Sequence, residues 1–296
     1  MKHRSLLHRV VNTLRPAAQP VRPAVLRLGT GAFTIWNNLR RRSMFRKLHE
    51  QDASTFHPVG PVRVLRRPLP PRVANALFDA AQVTNVLATL GVAHRITGPM
   101  NAALQLWTLS YRNSWGMIFH NDNMGLMHQM VLGTSRSADA LSVDALITEK
   151  TLAPRRYDRA YGGIPTAMNI VTCAVYFLSG VAKVRSPQGW KWAKGGTLRD
   201  HIAADAVRKE VFGTKAPQAA GGLYNAQKFF TIAGVGTLII ELGAPLSMLN
   251  PRCGQLISIA AWGMHVGIRY VMGIKFTYNT SGVSYLPYFP VGGQLP

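Results

Sequence analysis

The chain has 296 residues, 47% of them hydrophobic and only 16% charged, where soluble domains carry roughly 25% charged residues. With 34 Lys and Arg against 12 Asp and Glu the net charge is +22, which points to nucleic acid or an anionic membrane surface as partner. No zinc-ligand spacing, basic region running into heptads or RRM-like aromatic strand accompanies that charge, so no nucleic acid partner is expected.

Residues 1–72 hold fifteen of the Lys and Arg but only two acids, Glu50 and Asp52, a net +13. Pro16, Pro20, Pro23, Pro58, Pro61, Pro68, Pro70 and Pro71 break this segment, which is expected to be largely irregular and to stay cytoplasmic, where membrane proteins concentrate Lys and Arg. Its opening, MKHRSLLHRVVNTLRP, has no apolar core long enough for a secretory signal. Residues 26–49 set Phe33, Ile35, Trp36, Leu39, Met44, Phe45 and Leu48 among Arg40, Arg41, Arg42, Arg46 and Lys47. Two readings fit them: a helix lying on anionic lipid head groups, or a solvated basic tail.

From residue 73 the texture turns apolar. The uncharged run 160–182 exceeds the ~20 residues that a bilayer crossing needs. Two more runs are of similar length: 229–250, interrupted only by Glu241, and 253–274, which carries His265 and Arg269. Runs 76–93, with Asp79, 100–111 and 124–134 are shorter. Together they predict an all-α polytopic transmembrane bundle of five or six spans over 73–296, placed in the cell (plasma) membrane with the lipid bilayer as its first partner. Gly163, Ala167, Gly234 and Gly236 suit close helix contact. Six spans return the 183–228 loop and its basic residues to the cytoplasmic side. Cys173 and Cys253 lie in or beside these runs as packing thiols, with no CxxC motif.

Ionisable groups at membrane depth cost at least ~2.5–3.5 kcal/mol each, so each is a functional candidate. In WGMIFHNDNMGLMHQMVL, His120, Asn121, Asp122, Asn123 and His128 are interleaved with methionines. In a helix Asn121, Met124, Gly125 and His128 share a face, suited to a head group or to placing a histidine for proton transfer. Helix capping by Asn121 or Asp122 is the alternative. The two histidines stand eight apart with nothing to complete a metal site, so no metal is expected. In ADALSVDAL, Asp139 and Asp144 read first as loop and cap acids. Mid-run Glu241 calls for His265 or Arg269 as its partner. Lys183 ends the run 160–182 beside Arg185, Trp190, Lys191 and Trp192. It is either an interfacial anchor in an aromatic belt or a lysine drawn into an apolar pocket as a neutral base. A G-x-S-x-G elbow, a Walker A loop and a G-x-G-x-x-G after a strand are all missing from the sequence.

Four stretches carry a family resemblance by their order and spacing: SYRNSWGMIFHNDNMGLMHQMVL followed by ADALSVDAL, then YFLSGVAKVRSPQGWKWAKGGTLR, GTLIIELGAPLSML and GMHVGIRYVMGIKF. Over roughly residues 73–290 the chain resembles the HTTM family, bacterial membrane relatives of the vitamin K-dependent γ-carboxylases. The resemblance implies that Lys183, in the family's Gly-hydrophobic-x-Lys position, is the base that deprotonates a reduced quinone of the vitamin K type, with His120 or His265 assisting. It implies further that the quinol reacts with O₂ to generate a strong base, which takes the γ-proton of a glutamate in a protein or peptide substrate. The carbanion then captures CO₂ in a pocket that excludes water. The family's asparagine–histidine motif is approximated by His120-Asn121-Asp122-Asn123. Asn121, Asp122, Asn123, His128, Asp144, Trp190, Glu241 and Arg269 are the substrate-binding or structural polar candidates. The alternative is a non-catalytic membrane partner in peptide or protein maturation, immunity or export, docking through basic residues 1–72.

Overall fold

The computed structural model describes residues 10–293 except 117, 119, 214 and 216, and describes His120 by its backbone only. Among the described residues the chain is all helical, without strands; one isolated bridge pairs Ala18 with Asp158. It divides into two compact units, one ending at Met168 and taking in the chain again from Pro290, the other Asn169–Phe289.

The first unit holds α1 (Val21–Arg46), α2 (Pro71–Leu90), α3 (His94–Asn113), α4 (His120–Gly133), α5 (Val143–Glu149) and the start of α6 (Arg159–Arg185). Helices α1 to α4 pack in a ring, α1 on α2, α2 on α3, α3 on α4 and α4 back on α1. Where α3 crosses α4, Gly98 faces Gly133, and a Cβ on either would strike the other's carbonyl. Small residues bring helix backbones together in this way.

This ring corrects the division at residue 72. Helix α1 is an integral member of the bundle, burying Leu26, Arg27, Thr30 and Gly31, and does not stand apart as an irregular or surface segment. The following stretch coils through short 3₁₀ turns, Lys47–Glu50, Ala53–Thr55 and Gly60–Val64. Phe45, Leu48, Phe56 and Val62 fix it in one buried cluster with Phe78, Tyr111 and Trp115, and Phe45 stacks on Phe78 at 4.4 Å. The prolines interrupt helices there, but the apolar residues between them have a core to join.

The second unit continues α6 and adds α7 (Gly196–Val211), α8 (Gln218–Leu223), α9 (Gln227–Leu242), α10 (Pro251–Met272) and the short α11 (Thr277–Thr280). The apolar run 229–250 is not one helix. Helix α9 stops at Leu242, and Ala244–Met248 forms a 3₁₀ turn. Pro245 explains the break, since it lacks an N–H and disfavours helical geometry at Ala244. Helix α10 then starts afresh, with Pro251 in its first turn and the Asn250 side chain accepting from the Cys253 N–H at 3.0 Å.

The other apolar runs are present as helices α2, α3, α4, α6 and α10, but among the described residues only α6 is both long and apolar enough to cross a membrane. Several helices invert the usual order of burial. Helix α3 buries His94, Thr97, Asn101, Gln105 and Thr108 while Ile96 is 69% exposed. Helix α10 buries Ser258, Ala261 and His265 and turns Leu256, Ile259 and Tyr270 outward.

Candidate functional site

On α6, Tyr176, Gly180 and Lys183 are spaced i, i+4, i+7 and share a face. Gly180 is the gap in that face. A Cβ there would lie 2.9 Å from the Glu241 Cβ and 3.0 Å from the Leu242 side chain. The missing side chain admits the end of α9, and Glu241 closes on Lys183, whose Nζ donates to Oε1 at 2.5 Å and to Oε2 at 2.7 Å. Glu241 is buried and Lys183 half-buried. A carboxylate taken out of water needs such a partner. The Lys183 Nζ also lies 5.7 Å from the centre of the Trp192 ring, within cation–π range, and that indole stacks on His201.

Two turns back along α6, about 10 Å by helix rise, lies a second polar cluster. The Tyr176 and Tyr285 hydroxyl oxygens are 2.5 Å apart, and the Asn279 amide donates to both, at 2.9 and 3.2 Å. His265 Nδ1 donates to the Ala261 carbonyl at 2.9 Å and lies 3.3 Å from the Tyr176 hydroxyl. A carbonyl only accepts, so Nδ1 carries a proton. Phe276 meets the imidazole edge-on at 5.2 Å. All four polar residues are buried.

The structure thus pairs Glu241 with Lys183, and not with His265 or Arg269 as the sequence spacing suggested. His265 faces the tyrosines, while Arg269 is exposed beside Tyr270 on the outer side of α10. Trp190 is 65% exposed, and Trp192 is the indole that covers Lys183.

The remaining candidates belong to the first unit. His120 opens α4, and its side chain lies outside the described residues. Asn121 is buried and donates to Asp122 at 3.2 Å, and Asp122 accepts from Arg112 and, at 3.1 Å, from Arg41. Asn123 is half-buried. His128 is fully buried, with Nε2 3.0 Å from the Met168 carbonyl. Asp144 on α5 caps α3, accepting from the N–H groups of Ala93 at 2.8 Å and His94 at 2.7 Å. That is a capping role for an acid near a helix N-terminus.

Sequence reasoning passed over a polar track inside the ring. Asn38 donates to Gln105, Gln105 to Asn101, Asn101 to Asn85, and Asn85 to the Gly31 carbonyl. Arg27 sits nearby and donates to the carbonyls of Thr89 (3.2 Å), Ser137 (2.7 Å) and Leu141 (2.6 Å). A cavity of about 20 Å³, room for one water, lies among Arg27, Asn85, Asn101 and Gln129. The i, i+4 pair Asn101 and Gln105 was the available signal. Among the described residues no three His, Cys, Asp or Glu side chains gather as a metal site. Comparison with family models, characterised proteins and solved structures finds no match to this chain.

Proposed function

We propose that this chain is a multi-pass integral membrane protein of the HTTM type whose second unit carries a lysine–glutamate proton-exchange pair, and that the pair serves quinol-dependent, carboxylase-like chemistry. The observation that carries the reading is the bidentate contact of Lys183 with the buried Glu241 through the gap at Gly180. The membrane setting is supported by the apolar length of α6 and by helices that bury polar groups and expose Leu, Ile and Tyr.

The pair resolves a difficulty in using Lys183 as a base. An ammonium held by both oxygens of a carboxylate has no lone pair to offer. Transfer of its proton to Glu241 leaves a neutral amine and a neutral acid, with no change in the net charge of the site. In an apolar setting, where separated charges are costly, that exchange is favoured relative to water. The amine then accepts a proton from an acidic hydroxyl, and Glu241 holds the first. The pair fits a quinol, since an amine beside a carboxyl group would meet an acidic phenolic hydroxyl with both an acceptor and a donor. A bound quinol would supply the reducing equivalents and, with O₂, the strong base for glutamate carboxylation. Reconstituted protein given reduced vitamin K, O₂, labelled bicarbonate and a glutamate peptide is expected to label the peptide. Absence of labelling with every quinol tried overturns the catalytic reading.

A second reading, a non-catalytic membrane partner in peptide or protein maturation, immunity or export, is favoured by one observation: both carboxylate oxygens of Glu241 hold Lys183, with Trp192 over its ammonium. In that case the pair is a structural tie, and the neutral variant Lys183→Met with Glu241→Leu retains function in the cell.

A further inference from the structure

Helix α7 does not fit the pattern of the apolar helices. Its inner face packs Ile202 with Phe230, Ala220 and Val271. Asp205 on that face accepts from Arg208 at 2.5 Å and pairs with Lys209 at 2.7 Å, and Lys209 also donates to the Met272 carbonyl at the end of α10. The helix is therefore fixed to the second unit along one side. Its other side is open. Val207 is 63% exposed, Val211 74% and Phe212 78%, with exposed Ala204 one turn before Val207. Val207 and Val211 are spaced i, i+4, so they form a strip with Phe212 at its end.

Basic residues frame the strip. Arg208 beside it and Lys215 beyond it are exposed, as are Lys191 and Lys194 in the preceding turn, while the acids of the open side are Asp200, just after the first turn, and Glu210 on the flank. Across 183–228 nine Lys and Arg face three acids. A helix carrying Arg199, Asp200, Asp205, Arg208, Lys209 and Glu210 is too charged for the hydrocarbon core, and an open strip of valine and phenylalanine is out of place facing water. An apolar strip framed by Lys and Arg suits the interface plane of a bilayer, where each basic residue near an anionic surface adds about 1 kcal/mol.

We infer that α7 is an interfacial helix, its Val207–Val211–Phe212 strip inserted among the head groups of the protein's own bilayer and held there by anionic lipid. The inference rests on the membrane reading above.

The test places a nitroxide at Val211→Cys, in a background carrying Cys173→Ser and Cys253→Ser, with the full chain in nanodiscs. In discs of phosphatidylcholine with phosphatidylglycerol, the ratio of oxygen to nickel-chelate accessibility is expected to rise several-fold over discs of phosphatidylcholine alone. Arg208→Gln with Lys215→Gln is expected to lower that rise. Equal nickel access in both discs overturns the inference, as a strip reserved for a protein partner would give. Equal lipid burial in both discs also overturns it, because charge then plays no part. Failure of the chain to enter nanodiscs at all overturns the membrane reading beneath it.

Discussion

Glu241 reaches Lys183 because Gly180, three residues earlier on α6, has no side chain: any Cβ there would press on the Glu241 Cβ at 2.9 Å. The glycine and the lysine thus act as one unit, the first opening the helix face and the second receiving the carboxylate that enters.

Gly180→Ala is therefore expected to lower stability by about 1–3 kcal/mol through overpacking, although alanine favours helix more than glycine does. Gly236→Ala on α9 is the control, because a Cβ there meets open space. Thermal unfolding in detergent is expected to show a lower midpoint for Gly180→Ala and an unchanged or higher one for Gly236→Ala.

The ion pair itself yields to a double-mutant cycle. Lys183→Met leaves Glu241 buried without its partner and is expected to cost about 3–5 kcal/mol. Combining it with Glu241→Leu is expected to recover much of that loss, because the unpaired charge is gone. Additive losses in denaturant unfolding would contradict a coupled pair.

The crossing of α3 and α4 depends on Gly98 and Gly133, whose backbones leave no room for a side chain. Gly98→Val is expected to separate the helices and to raise hydrogen exchange across both. Gly116→Val, outside the helices and facing open space, is expected to leave exchange in α3 and α4 unchanged.

Asp205 makes the attachment of α7 sensitive to acid. Burial pushes its carboxyl upward, but hydrogen bonds and charge from Lys209 and Arg208 outweigh that and hold it below the usual value of 3.8. A carboxyl lowered in the folded state contributes stability above its unfolded value, and that contribution is lost as pH falls through the folded value. Protection of the α7 amides, taken as the exchange rate relative to that of an unstructured peptide at the same pH, is expected to be flat from neutrality to about pH 4 and to fall below it. In Asp205→Asn the acid-dependent loss of protection is expected to vanish.

Helix positions were largely legible in the sequence because runs such as 160–182 and 253–274 carry their own apolar length. The run 229–250 misled because hydropathy does not register what Pro245 does to the backbone before it. Residues 1–72 misled differently. Their many arginines mask the few buried positions, Leu26, Phe45, Phe56 and Val62, whose burial depends on partners far along the chain. At the site, Lys183 and Glu241 were each marked by being charged in apolar surroundings. Their pairing was not, since it depends on the close approach of two helices at Gly180. Tyr176, Asn279 and Tyr285 carried no signal, because uncharged polar residues are common along such a chain and only the fold brings these three together.

The proton-exchange claim is tested most directly by Lys183→Arg in the labelled-bicarbonate assay with reduced vitamin K. Arginine keeps the positive charge and the bond to Glu241 but does not become neutral in proteins. The account predicts a folded protein with near-normal thermal stability and no quinol-dependent labelling of the glutamate peptide. Labelling that persists at the wild-type rate in Lys183→Arg would contradict it.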